Sequence, residues 1–138
     1  MIRGIKAVLL LFFLPFIFFA HEFNPAHLVV KEVDTNIYET KWMYPVKNIG
    51  ARGEVVFPNE CLRENTNIEK NGRYLVESFS LTCATSIKGK TINVRSLSVL
   101  TDALITVNHL DATNFEGLMN SKNPFIEIPL KEQIYPTG

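Results

Sequence analysis

The sequence is short of everything that marks the common catalytic and nucleic-acid-binding chains. It holds no GxSxG elbow, no HExxH pair, no P-loop and no glycine-rich dinucleotide turn, so the chemistries that those motifs carry have no foothold here. It has no excess of charge, with 14 basic against 14 acidic residues, and no basic stripe interleaved with aromatics, which excludes nucleic acid as a partner. Cysteine is scarce, two residues in 138, and tryptophan occurs once. No internal repeat or low-complexity tract breaks the chain, and 138 residues suffice for one domain with its own core. Asp102 and Glu116 could be drawn as an acid and base, but nothing in the sequence ties them together in space. A protein that is not an enzyme is expected, with no catalytic residue.

The one long apolar run lies at the N-terminus. Arg3 and Lys6 precede 14 apolar residues from Ala7 to Ala20, followed at once by His21 and Glu22, which is the layout of a secretory signal peptide. A spanning helix needs roughly 20 apolar residues, and Pro15 would break one. Cleavage after Ala20 is expected, although Phe18 stands where a small side chain is usual, and an uncleaved anchor is the alternative. Loss of Arg3 and Lys6 would leave 12 basic and 14 acidic residues. The expected organisation is a signal helix over 1–20, a β domain over 21–130 and a linker or tail over 131–138.

Beyond Ala20 the chain alternates with period two, the mark of half-buried strands. Leu28 to Val30 is a short apolar run. Tyr38, Thr40, Trp42 and Tyr44 share one face, with Asp34-Thr35-Asn36 as the preceding turn, and Pro45 ends that strand. Glu54 to Phe57 is a brief strand stopped by Pro58. Asn71-Gly72 is the strongest hairpin signal, and it feeds a strand in which Leu75, Phe79, Leu81 and Cys83 share a face. Ile92 and Val94, then Ala103, Ile105 and Val107, repeat the pattern. A weaker strand is expected at Phe115 to Met119. Pro124 and Pro129 demote Phe125 to Leu130 to an edge strand or an extended tail. Trp42, Phe79, Ile92 and Ile105 are the expected core.

Cys61 and Cys83 can pair in only one way, and in an exported chain an even count reads first as a disulfide. A soft-metal site or a redox pair is the alternative, supported neither by CxxC spacing nor by a neighbouring histidine. The histidines are His21, His27 and His109. An N-terminal His21 would chelate nickel, copper or zinc through its amine and ring, and His27 or His109 could complete such a site. Their spacing matches no compact motif, and solvent-facing or rim histidines are the plainer reading.

In order along the chain, several segments resemble the N-terminal extracytoplasmic domain of the HupE/UreJ family of bacterial membrane proteins. His21-Glu22, Pro25-Ala26 and Leu28 stand where that family has HE, PA and a leucine. Tyr38, Lys41-Trp42 and Pro45 resemble its Y…W-K-x-P segment, and Cys61 and Cys83 sit where the domain commonly carries two cysteines. The most specific part is Gly89, Ile92, Val94 and Leu97 followed by Thr101-Asp102-Ala103-Leu104-Ile105, similar to L-x-G-x-x-I-x-I-x-G-L…T-D-V-L-V. Asn24 replaces a basic residue and Ser96 replaces the glycine before Leu97. The family continues into membrane helices whose His and Asp residues are linked to transport of nickel or other metals, and such helices lie outside these 138 residues. The resemblance implies an accessory or sensory domain on the periplasmic face of the inner membrane.

The fold expected is an all-β, immunoglobulin-like antiparallel sandwich of about seven strands, with Trp42 packed near the Cys61–Cys83 bond. The function expected is that of a non-enzymatic extracytoplasmic domain of a HupE/UreJ-like nickel permease. It would act by contact with a transporter's membrane domain, in the same or another chain, or by metal capture at His21. The alternative is a freestanding periplasmic sandwich that binds a protein partner through an exposed edge strand such as Phe125 to Leu130.

Overall fold

The computed structural model describes residues 25–47, 53–97 and 101–131. Among them the only regular elements are nine strands: β1 (Ala26–Asp34), β2 (Ile37–Pro45), β3 (Glu54–Val56), β4 (Cys61–Asn71), β5 (Tyr74–Cys83), β6 (Thr91–Arg95), β7 (Ala103–Asn108), β8 (Asn114–Met119) and β9 (Phe125–Glu127). They form a large sheet in the order β4-β5-β2-β1-β7-β8 and a small sheet in the order β3-β6-β9, packed as a sandwich around one apolar core. The expected signal helix, His21 and the expected tail beyond Lys131 lie outside the described residues.

Alternation decides which side chains enter the core. On β2, Tyr38, Thr40, Trp42 and Tyr44 are buried; Leu28 and Val30 of β1 and Ile105 and Val107 of β7 continue the same inner face. Phe79, Leu81 and Cys83 of β5 join them, whereas Leu75 is only half-buried and Val76, on the outer face, is the better covered of the two. Ile92 and Val94 of β6 close the core from the small sheet. All four expected core residues, Trp42, Phe79, Ile92 and Ile105, are at most 4% exposed.

Three expectations are corrected. Among the described residues the strands number nine, and the additional long one is β4, whose sequence CLRENTNIEKN is too polar to show alternation and whose residues are mostly exposed. It is the edge of the large sheet, where charged side chains are the usual protection against stray pairing. The pairing is not wholly antiparallel, because β1 and β7 run parallel, Ala26 against Ala103 and Leu28 against Ile105. The chain crosses to the small sheet at β6 between them, the long connection that parallel neighbours require. Trp42 is remote from the cysteines: it pairs with Glu77, six residues of strand from Cys83, or roughly 20 Å.

Turns fix the registers. The β4–β5 hairpin turns through Gly72 and Arg73, with Gly72 at φ 60°, the two-residue loop with glycine first that suits strand twist. Between β1 and β2, Asn36 takes φ 58°, its N–H donating to Glu32 Oε2 at 2.9 Å, and the Thr35 N–H donates to Asp34 Oδ1 at 2.8 Å.

Candidate functional site

Of the three histidines, His21 is outside the described residues and the other two are not brought together. His27 is half-buried on the outer face of the large sheet. It lies between Met43 and Leu104 in a cross-strand row that runs Val76, Met43, His27, Leu104, Leu118. Its ring meets the edge of Tyr74 at 6.2 Å. His109 follows the far end of β7. Since Leu104 is level with His27 on parallel strands, five residues or about 16 Å of strand separate the two histidines. Among the described residues no three His, Cys, Asp or Glu side chains cluster closely enough to hold a metal ion. His27 and His109 therefore do not form a joint site for nickel, copper or zinc.

His109 is a buried residue of a turn. It is 8% exposed, its N–H donates to the Thr113 carbonyl at 2.9 Å, and its carbonyl accepts the Ala112 N–H at 3.0 Å. Its Nδ1 has no hydrogen-bond partner. Burial pushes its pKa down, and the ammonium of Lys88 adds to this. Lys88 is itself ion-paired with Asp111, and that contact together with Thr113 holds the Asp111 carboxyl well below the usual carboxylate range.

The cysteines are joined: Cys61 and Cys83 form a disulfide across the β4–β5 pair, with Cα atoms 4.0 Å apart. Such a bond is compatible with an oxidising, extracytoplasmic location.

The most structured polar arrangement is one that the sequence concealed. Arg63 is on β4, two residues after Cys61 and directly opposite Leu81, so its side chain starts on the core face. It reaches across the sandwich. One guanidinium N–H donates to Glu77 Oε1 at 3.0 Å, and another donates to the Val55 carbonyl of β3 at 2.7 Å. The guanidinium lies 4.1 Å above the Phe79 ring centroid and 5.6 Å from that of Phe57, and the two rings meet edge to face at 5.7 Å. Ion pair and ring contacts are each worth about 0.5–1 kcal/mol at such a partly exposed site. Together they pin the two sheet edges to one another.

On either side of Arg63 the space between β3 and β4 is open. One recess, of about 250 Å³, is lined by Trp42, Gly53, Glu77 and Phe79; the other, of about 460 Å³, by Phe57, Cys61, Leu81 and Arg95. The two share Glu54, Val55 and Arg63. Trp42 is 2% exposed, and its Nε1–H is fully buried without a hydrogen-bond partner.

A signal for this site existed in the sequence. Counting back from a two-residue turn at 72–73 sets Leu62 opposite Cys83, whereas the disulfide requires Cys61 there. One extra residue must therefore bulge from β4. It does so between Glu64 and Asn67, with Asn65 at φ 56°, and only that shift turns Arg63 inward.

No family model matches the chain, and no curated protein matches it.

Proposed function

We propose that this chain is the non-enzymatic extracytoplasmic domain of a HupE/UreJ-like metal permease, exported by its N-terminal segment and acting by contact with the membrane domain. The observation that carries this reading is the backbone around β6. In the segment that most resembles the family, the two positions where the family has glycine are Gly89 and Ser96, and both take left-handed conformations, φ 77° and φ 58°. A Cβ on Gly89 would meet Leu130 Cδ2 at 2.8 Å. Left-handed backbone is the physical reason for glycine at such positions.

Two further features support it. The Pro25-Ala26 and Thr101-Asp102 segments, far apart in sequence, are neighbours, with the Ala26 N–H donating to the Asp102 carbonyl at 2.8 Å. The disulfide joins the two cysteines of the resemblance. For the contact itself the outer face of the large sheet offers Leu104 and Leu118, 36% and 49% exposed, side by side on β7 and β8.

In-frame deletion of codons 21–131 from the native gene, followed by uptake assays with nickel, copper and zinc, tests the reading. Uptake of at least one metal should fall while the membrane domain remains at its normal level. Unchanged uptake of all three would sink it. The second reading, a periplasmic interaction module, has its own observation: β9 is an edge strand of the small sheet, with Phe125 59% exposed. If it holds, a periplasmic partner recovered with the wild-type chain is lost with Phe125→Lys, whatever the uptake result.

A further inference from the structure

Of the asparagines in the sequence only Asn71 precedes a glycine, and the fold sets that dipeptide at the tip of the hairpin that edges the large sheet. Asn71 ends β4, and its pair with Tyr74 is the last of the β4–β5 ladder. Asn71, Gly72 and Arg73 are all exposed. A Cβ added to Gly72 would meet nothing within 4 Å, and the Asn71 side-chain amide has no hydrogen-bond partner among the described residues.

We propose that Asn71 is a self-modification site, converted to aspartate and isoaspartate by the Gly72 amide nitrogen with water as the only co-reactant. The nitrogen gives up its proton and bonds to Asn71 Cγ, closing a five-membered succinimide, while the side-chain nitrogen takes up a proton and leaves as ammonia. Water then opens the ring. Breaking the bond from nitrogen to the side-chain carbonyl gives aspartate in an intact main chain. Breaking the bond to the main-chain carbonyl gives isoaspartate, whose main chain runs through Cβ and Cγ. One ammonia leaves for each water consumed, and nothing is oxidised or reduced. Glycine has no Cβ to crowd the attacking nitrogen, whereas branched Ile37, Ile68 and Val94 follow Asn36, Asn67 and Asn93.

The fold sets the rate. Ring closure needs Asn71 Cβ and the Gly72 nitrogen on the same side of the bond between them, a rotation that an extended, paired Asn71 cannot make. The tip must therefore open first. That opening breaks only the terminal pair of a mostly exposed edge strand, among the least costly kinds of local unfolding. The β5 side of the turn stays anchored, because the Val46 N–H donates to the Arg73 carbonyl at 2.8 Å. Asn120, which precedes the small Ser121, is the contrast. Its Oδ1 accepts the N–H groups of Lys122 at 3.0 Å and Asn123 at 2.9 Å, which fix its side chain in the turn. Isoaspartate at 71 adds a methylene to the main chain just before a two-residue loop, so the pair with Tyr74 no longer fits and the tip stays open. The change is one-way, since the ammonia is lost. The chemistry is independent of the permease reading.

Incubation of the oxidised, folded chain, followed by mass spectrometry of peptides containing residue 71, tests the site. The side-chain NH2 should be replaced by OH, faster as pH rises, with one part of the product cut by an aspartate-specific protease and another, the isoaspartate, resistant to it. The rate should lie within about a hundredfold of that in the reduced, urea-unfolded chain, because terminal pairs open at little cost. A site exposed only by global unfolding would lag by about 10³ or more. Asn71→Gln, which could close only a six-membered imide, should stay intact over the same period, with thermal melting confirming that it is folded. In the isoaspartate form, amide exchange should quicken at residues 70–75 and stay unchanged in β1 and β7. A lag as large as global unfolding gives, modification of Asn120 as fast as Asn71, a product made only of aspartate, or unchanged exchange at the tip would each overturn the proposal.

Discussion

Ala112 and Ser96 occupy left-handed backbone, at φ 69° and φ 58°, where an L side chain costs roughly 1–2 kcal/mol. Asn36 and Asn65 do the same, but asparagine tolerates that region. Ala112→Gly and Ser96→Gly should therefore each raise stability by about 0.5–1 kcal/mol, after allowing for the extra chain entropy of glycine. Asn36→Gly should gain less, and urea unfolding of the three variants makes the comparison. Titration of His109 gives a second expectation. Its folded pKa is lowered from 6.5 by burial and then by Lys88, with Asp111 and Glu32 opposing. The unfolded chain therefore takes up its proton first. The contribution of neutral His109 is complete above 6.5 and is lost as pH falls from that value down through the lowered folded pKa. Asp111, lowered from 3.8, loses its contribution only below that value. Unfolding midpoints should fall between about pH 7.5 and pH 5 in the wild type and stay nearly level in His109→Gln, while both fall below about pH 4.

Strand alternation made most of the sandwich legible in the sequence. The faces of β2, β6 and β7 follow directly from residues spaced by two, because burial on one side is a local property of a strand. The features that stayed hidden are non-local. The polar edge strand β4 has no buried face to betray it, the parallel pairing of β1 with β7 depends on where the chain crosses between sheets, and Arg63 turns inward only through the bulge at Asn65. Gly117 belongs to the same hidden layer. It lies in the strand expected to be weak, and β8 places it on the inner face opposite Ile105. An added Cβ would run into Ile126 Cδ1 of β9 and approach Phe115 Cζ at 3.0 Å. The missing side chain is what lets β9 fold over β8 and close that corner. Gly117→Ala should destabilise the fold by about 1–3 kcal/mol, as overpacking does. Ile126→Val removes the obstructing methyl and should recover part of the loss. Urea midpoints of the single and double variants decide the point, and a double variant no better than Gly117→Ala would show that the clash is not with Ile126.

The residues that carry the family resemblance are mostly those that build the molecule. Ala26, Leu28, Tyr38, Trp42, Ile92, Val94, Leu97 and Ile105 are all buried, so their first role in this chain is to fill the sandwich core. The polar groove at Arg63 is not among them, which is why a sequence reading could reach the sandwich and pass over the site. The disulfide links the two levels, since Cys61 is both a wall of that groove and one end of the β4–β5 hairpin. The bond closes a separation of 22 residues, and the chain-entropy model assigns such a closure roughly 3 kcal/mol, exerted through the unfolded state. Reduction should therefore lower the unfolding free energy of the whole domain by about that amount, a large part of the stability of a chain this size. Trp42 lies far along the sheet from the bond, so its emission reports global unfolding rather than local quenching by sulfur. Urea titrations followed through Trp42 with and without reductant, and with Cys61→Ala/Cys83→Ala, should give two coincident weakened transitions. If the reduced protein instead keeps its midpoint while the β4 amides alone exchange faster, the hairpin is a detachable edge, and the groove between β3 and β4 opens without unfolding the core.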